Sequence, residues 1–489
     1  MENKERKISD IHNELSKMLI SLENQSKQKK ALHSVERDLL SSLLRLGYSL
    51  LSYYIYLVSQ HLKRCPRPKD GFGDPMRNKG QGKRIYRSVF GLLELHRTKY
   101  WSKQGKTYYL LDEYLGLGCS RYSYLLDDWL GYSCVEMDFD QGVKLLNRIL
   151  DQDLSAMQAR RRTYHLSTQV EPYYDGVEKE CSEEMTHLCV GFDGKGVPIR
   201  RSETHRKQES TVSRLGKGKK KDVKREATLS LSSVFTAKPR KVEQVLQGLF
   251  ACSVGQEKQT EQEQHKWHCA KHIRAFLSDK PRAIDYGLTE VLSRSNSQDK
   301  PIIILIDGAP SLENTIKNWV AEHQMEKRVD AYILDFFHLL EYVWKVANAY
   351  LGEKHPNREK WVKKQARMLL NSKTQQVLTQ WNRILKTQKL STYKQTLLKR
   401  SIKYLSNRPH MVDYKTYLEK GYPITTGAVE SACGHFIKSR MERNAMHWSK
   451  QGAQQMLDLR AVKKNQDWDN YLKFFIRNEQ QKLYPNRAA

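Results

Sequence analysis

From residue 1 to about residue 62, charged and apolar positions alternate without a proline. Leu39, Leu40, Leu43, Leu44, Leu46, Leu50, Leu51, Ile55 and Leu57 recur there at helical intervals, which predicts helices. Residues 64–83 then concentrate Pro, Gly and Lys, the composition of an irregular, exposed linker or of the start of a small β element. Short β-branched and aromatic patches over 85–114 read as two or three strands, and helices resume near 122–130. Residues 139–166 carry Val143, Leu146, Ile149, Leu150, Leu154 and Met157 in the spacing of two helices broken near 151–153.

A different texture starts near residue 185. Segments 187–193 and 225–237 read as strands, and 268–293 reads as helical from Ile273, Phe276, Leu277, Ile284, Leu288 and Leu292, with Pro281 breaking or restarting it. Residues 301–306 (PIIILI) are apolar without alternation, the mark of a strand buried on both faces. A further short strand over 331–335 leads into a helix through His338, Leu339, Val343, Val346 and Tyr350. Residues 351–420 show helical Leu and Trp spacing and hold 17 Lys and Arg against 4 Asp and Glu, which predicts a basic all-helical insertion. Val429, Cys433, Phe436, Ile437 and Arg440 mark one more helix after 421, and no repeat of solenoid period is visible.

Composition sharpens this picture. The 489 residues include 84 Lys and Arg against 55 Asp and Glu, a net charge of +29, which points to a polyanionic partner such as double-stranded DNA. At roughly 150 residues per domain the length suggests about three domains. The longest uncharged stretch, 46–60, falls short of the ~20 residues of a spanning helix, so no membrane association is expected. The first residues lack the apolar run of a secretory signal, and the eight cysteines form no CxxC pair. Both features suit a reducing, cytoplasmic setting. Two basic clusters are candidate DNA contacts. Arg160, Arg161 and Arg162 lie on the second helix of 139–166, which is either the recognition helix of a helix-turn-helix or a solvated basic helix. Arg214, Lys217, Lys219, Lys220 and Lys221 lie in a basic run between the two strands, the composition of a solvated loop.

Three acids occupy telling positions: Asp193 and Asp307 at the ends of expected strands, each followed by a glycine, and Glu430 in the first turn of the late helix. Open α/β sheets place ligands at strand ends, and convergent carboxylates in an apolar surround need cations to stay ionised. Oxygen ligands of this kind select Mg²⁺ or Mn²⁺. Two such ions can activate a water or a 3′-hydroxyl and stabilise the leaving oxygen in phosphoryl displacement.

The local words are more specific than the spacing. They are Val190-Gly-Phe-Asp193-Gly-Lys-Gly-Val-Pro198, Ile304-Leu-Ile-Asp307-Gly-Ala, Asp335-Phe-Phe-His338 and Thr426-Gly-Ala-Val-Glu430-Ser-Ala-Cys-Gly-His, followed by Arg440 and Met446-His-Trp448-Ser-Lys-Gln-Gly-Ala-Gln. Together they resemble the ISKra type of prokaryotic insertion-sequence transposases, within the DDE group, from about residue 185 to 462 and more faintly over 87–117. The resemblance implies an α/β fold: an RNase H-like catalytic core interrupted by an all-helical insertion, behind a mostly helical N-terminal DNA-binding region. It places the catalytic, metal-holding acids on Asp193, Asp307 and Glu430, with two Mg²⁺ or Mn²⁺ ions. Asp335, His338, Arg440 and Trp448 become auxiliary residues. For Asp335 and His338 the alternative is a strand-end acid and a helix-start His that order the site by hydrogen bonding; for Trp448 it is core packing, and for Arg440 a phosphate or structural contact.

One departure from that pattern concerns zinc. Cys65-Pro-Arg-Pro68 lacks the second cysteine of a zinc ribbon, so no structural zinc is expected, and His265, His268, Cys269 and His272 read as helix surface. The expected division is 1–62 helical; 63–130 linker and small β/helical element; 131–184 helix-turn-helix-like; 185–350 first part of the core; 351–420 insertion; 421–465 last core helix; and 466–489 a C-terminal tail. The expected activity is DNA transposition: binding of terminal inverted repeats, metal-dependent strand cleavage and strand transfer into target DNA, by a homo-oligomer assembled on DNA. A non-catalytic DNA-binding protein and an RNase H-like nuclease are the alternatives.

Overall fold

A computed structural model describes residues 2–179, 185–200, 223–250, 268–295, 299–425, 433–443 and 446–485. The fold is mixed α/β with two sheets, and the chain divides into two compact units, residues 1–175 with 466–489 and residues 176–465. Among the described residues, no helix is long and apolar enough to cross a membrane.

The first unit begins with helices α1 (Glu2–Lys27) and α2 (Leu32–Leu62). A three-stranded antiparallel sheet follows, β1 (Arg77–Ser88), β2 (Gly91–Trp101) and β3 (Thr107–Tyr108), in the region where short strands are expected. Helices α3 (Leu110–Tyr114), α4 (Tyr124–Glu136), α5 (Phe139–Leu150), α6 (Ala156–Leu166) and α7 (Val170–Gly176) complete the N-terminal part. The break expected near 151–153 is real: Asp151 ends α5 in the left-handed region at φ 51°, and Ser155 starts α6 with a capping box closed by Gln158.

The three arginines of α6 do not share one role. Arg161 is exposed, but Arg162 is drawn inward, its guanidinium clamping the fully buried Asp127 of α4 through Nε at 2.7 Å and Nη2 at 2.5 Å. Arg162 is therefore a structural tie rather than a DNA contact, because a buried carboxylate must keep its counter-charge. The expected tail is also corrected: residues 468–483 form α17 (Trp468–Leu483), which belongs to this unit. Trp468 donates to Asp128 at 2.7 Å and the buried Tyr471 hydroxyl to the Leu166 carbonyl, so aromatic side chains with polar tips anchor the last helix.

The second unit is built on a five-stranded sheet of β4 (His187–Ile199), β5 (Val223–Phe235), β6 (His268–Leu277), β7 (Ile302–Ile306) and β8 (Val329–Leu334), in the order β6-β5-β4-β7-β8. The first three strands pair antiparallel, whereas β7 and β8 run parallel to β4. Helices α8 (Val242–Phe250), α9 (Lys280–Leu292) and α10 (Pro310–Glu322) connect the strands, and α11 (Phe336–Tyr350) follows β8. All five residues of β7 are buried, as its unbroken apolar run requires; each buried Ile contributes roughly 1.5–3 kcal/mol. The basic stretch after α11 is helical as expected: α12 (Arg358–Leu370), α13 (Thr374–Thr387), α14 (Thr392–Ser406) and α15 (Tyr414–Glu419). A π-helical turn, Cys433–Lys438, precedes α16 (Lys450–Lys464).

The helix expected over 268–293 is instead strand β6 followed by α9. All five residues from His272 to Phe276 are buried, so the strand loses the alternation that would identify it, and His272 and Arg274 sit in the interior. Arg274 reaches Asp458 at 3.4 Å and lies between the Phe276 and Tyr286 rings, while His272 Nε2 lies 2.9 Å from the Tyr286 hydroxyl. His268 and His272 are thus strand residues, and His265 lies outside the described residues.

The Arg162–Asp127 ion pair and the buried, uncharged His272 each set a measurable part of the stability. Arg162→Ala should lower unfolding free energy by about 3–5 kcal/mol in chemical denaturation, whereas Arg161→Ala should change it by less than about 0.5 kcal/mol. Burial holds the His272 imidazole down to about 3. The unfolded chain therefore takes up a proton near pH 6.5 that the folded chain refuses, so stability is retained above that pH and lost as pH falls toward 3. Between pH 6 and pH 4 the wild type should lose about 1 kcal/mol per pH unit more than His272→Gln, read from denaturation midpoints.

Candidate functional site

The register of the parallel strands creates the site. β4 and β7 pair from Leu188↔Ile302 to Phe192↔Ile306, so the next residues, Asp193 and Asp307, lie side by side at the end of that ladder. β4 itself does not stop there, since its antiparallel pairing with β5 runs on to Ile199. Asp193 is thus mid-strand with respect to β5 and terminal with respect to β7, which corrects the expectation of a simple strand end. On the other side of β7, Ile306 pairs with Leu334, and the Asp335 amide donates to the Ile306 carbonyl at 2.9 Å. Three acids on three neighbouring strands therefore stand at one level.

Asp193 and Asp307 converge with His338: one potential ligand atom from each lies within 4.8 Å of the others, and all three side chains are part-buried. Asp307 follows the last residue of β7, and its Oδ1 accepts from the Ala309 amide at 2.8 Å just before α10. Asp335 is completely buried and caps α11, with Oδ1 accepting from the Phe337 amide at 2.8 Å. Its Oδ2 lies 3.3 Å from His338 Nδ1. A carboxylate on Nδ1 favours the tautomer protonated there and leaves Nε2 as a ligand or base. Asp335 thus acts through His338, and His338 stands with the two acids.

The turn after β7 depends on the helical insertion, whose spacing and charge predict basic helices but not this contact. The Tyr404 hydroxyl donates to the Asp307 carbonyl at 2.7 Å. The Arg408 Nε donates to the Gly308 carbonyl at 2.8 Å, its Nη2 to the same oxygen, and its Nη1 to the Tyr404 carbonyl at 2.5 Å. Gly308 has φ 78°, and a Cβ there would stand 2.5 Å from Arg408 Nε and 2.7 Å from Leu334 Cδ1. The glycine therefore serves both the left-handed turn and the close approach of the arginine. Tyr342 stacks on Tyr404 with centroids 3.9 Å apart. Only the glycine after Asp307 hinted at this support in the sequence.

The remaining expected residues separate into groups. Trp448 is buried, continues β4 by bridging Ile199, and donates from Nε1 to the Met441 carbonyl at 3.0 Å. Arg440 is also buried, its guanidinium 4.9 Å from the Trp448 ring centre. Both side chains are part of the packed interior, and Arg440 is not placed to meet a phosphate from solvent. Glu430 and the basic residues Arg214, Lys217, Lys219, Lys220 and Lys221 lie outside the described residues.

A donor set of two carboxylates and one imidazole suits a divalent cation. The carboxylates match Mg²⁺ or Mn²⁺, and the imidazole makes Mn²⁺ the better fit of the two.

Residues 238–471 match the family described as "Uncharacterised protein family (UPF0236)", a stretch that includes Asp307, Asp335 and His338 but not Asp193. Two relatives, both UPF0236 proteins of Caldanaerobacter subterraneus subsp. tengcongensis, are 26% identical over 196 residues. That alignment covers 40% of this chain and 38% and 36% of the two relatives. The chain thus spans well under half the length of the curated relatives it matches.

Proposed function

We propose that residues 176–465 are an RNase H-like core that carries out metal-dependent phosphoryl transfer on DNA, and that the protein is a DNA transposase of an insertion sequence. The observation that carries this reading is the convergence of Asp193, Asp307 and His338 at adjacent parallel strand ends. A mixed sheet with a helical insertion after the second acid accommodates such a core. Glu430 is the third acid of the proposal, and the described chain on both sides of it meets the elements of this sheet. Before it, the Ile424 carbonyl accepts from the Phe336 amide at 2.9 Å, beside Asp335; after it, residues 433–438 pack against β4. The net charge of +29 supports a polyanionic substrate.

In this mechanism Asp193, Asp307 and Glu430 would hold Mg²⁺ or Mn²⁺, with His338 as a further donor, and the metal would supply Lewis acidity for the attacking and leaving oxygens. Asp335 keeps His338 in one tautomer and orientation. Tyr404 and Arg408 fix the backbone of Asp307 and Gly308, so the second acid is held ready at little further ordering cost. An RNase H-like nuclease would use the same cluster but would yield only hydrolysed ends, so a joined product separates the two readings.

The deciding assay incubates the full chain with Mn²⁺ and labelled DNA taken from the sequences on either side of its gene. Cleavage and joined products are expected, and Asp193→Asn or Asp307→Asn should lower both by about a thousandfold or more while DNA binding persists. Wild-type rates in either variant would remove the catalytic assignment. Asp335→Asn should be milder, lowering activity or Mn²⁺ affinity about 10- to 100-fold, as expected of a residue that acts through a ligand.

A further inference from the structure

A second cluster of mixed donors lies in the first unit, and it stands independently of the proposed transposase reading. Cys119, His165 and Glu479 come from a loop, from α6 and from α17, yet their ligand atoms all lie within 4.8 Å of one another. Cys119 Sγ is 3.0 Å and His165 Nε2 is 3.1 Å from the same carboxylate oxygen, Glu479 Oε1. We propose that these three side chains form a binding site for a transition-metal ion of the Zn²⁺ class, with solvent as the fourth ligand.

The chemistry of the donors argues for this class of ion. One thiol, one imidazole and one carboxylate make a borderline-soft set that suits Zn²⁺ and not Mg²⁺ or Ca²⁺. Tetrahedral zinc, with Zn–S near 2.3 Å and Zn–O or Zn–N near 2.1 Å, sets neighbouring ligand atoms about 3.6 Å apart. The Glu479 oxygen would have to withdraw by about half an ångström from each partner, which a small side-chain rotation supplies. Cys119 is exposed, so solvent reaches the open position, while Glu479 is buried. Binding replaces the thiol proton by the metal and releases that proton to solvent.

The surroundings hold all three donors in place. The loop bearing Cys119 is tied at three carbonyls: Gly116 accepts from Gln480 Nε2 at 2.9 Å, Leu117 from the Tyr484 hydroxyl at 2.8 Å, and Gly118 from Arg84 Nη2 at 2.6 Å. A Cβ on Gly118 would stand 2.6 Å from Glu479 Oε2 and 2.8 Å from the Tyr124 hydroxyl, so the loop approaches the carboxylate as closely as a glycine allows. The Phe475 ring, one turn before Glu479 on α17, meets His165 edge to face at 5.4 Å. Of the two nearby arginines, Arg162 is paired with Asp127, and Arg84 shares Asp112 with Arg97.

The competing account is a hydrogen-bonded network that simply pins α17, and cobalt distinguishes the two. Full-length protein stripped of metal is titrated with Co²⁺ in excess Mg²⁺. A thiolate-to-cobalt charge-transfer band in the near ultraviolet should saturate at one equivalent and vanish when Zn²⁺ is added. Cys119→Ser should abolish the band, whereas Asp193→Asn should keep it, which separates this site from the acidic cluster. Glu479→Gln should weaken Co²⁺ binding about tenfold or more. If Cys119→Ser does not fold, the wild type alone decides: Zn²⁺ should slow iodoacetamide alkylation of Cys119 at least tenfold, measured by peptide mass spectrometry. No band at one equivalent, a band that persists in folded Cys119→Ser, or an unchanged alkylation rate would each overturn the proposal.

Discussion

The parallel hydrogen-bonded ladder between β4 and β7 is the constraint on which the rest of the second unit depends. Its last pair, Phe192↔Ile306, sets the next two residues at one level, and both are aspartates. A slip of one residue would turn one carboxylate to the opposite face of the sheet, because side chains alternate along a strand. The ends of the buried run of β7 oppose that slip: all five of its residues are enclosed, so a shift would draw Lys300-Pro301 or Asp307 toward the interior. Burial of an uncharged strand thus fixes the position of a charged group that would be costly to place by its own interactions.

Like charges at adjacent strand ends repel, and the fold meets that cost locally. Backbone amides at Gly194 and Ala309 each donate to one acid, and the α10 N-terminus lies just beyond Asp307. The insertion adds a second kind of support through Tyr404 and Arg408, which bind the backbone of Asp307 and Gly308 rather than the carboxylate. A guanidinium on carbonyl oxygens holds geometry without neutralising the acid. Direct pairing of Arg408 with Asp307 would have competed with any divalent cation.

Much of the second unit was legible because local signals agreed. The apolar run of β7, the acid–glycine word after it and the Leu and Trp spacing of the insertion each reported one element without needing tertiary context. The His338 word was visible too, although not that its ring stands with Asp193 and Asp307. What failed did so for identifiable reasons. β6 is buried along five successive residues, so it lost the period of two, and its Arg274 and His272 mimicked the polar positions of a helix. β4 outlasted its expected end because its antiparallel partner continues beyond its parallel one. Tyr404, Arg408 and the Cys119, His165 and Glu479 cluster were invisible, since each contact joins residues separated by about 100 to 360 positions.

Arg162 shows why a charge total needs a structure before it becomes a field. Arg274, Arg408, Arg440 and Arg460 are buried as well, engaged with a carboxylate, with carbonyls or with aromatic rings. Arg460, for instance, donates to the carbonyls of Phe436 and His435 in the π-helical turn. Arginine suits this work because its planar fork serves two acceptors at once and stays charged in a poorly solvating interior. These side chains contribute to the formal +29 but give little to the surface. Any long-range positive field therefore rests on the exposed residues, which in the insertion include Lys360, Lys363, Lys364, Lys399 and Arg400. The basic composition thus divides between interior arginines that hold the fold and exposed, mainly lysine, side chains that set the long-range field.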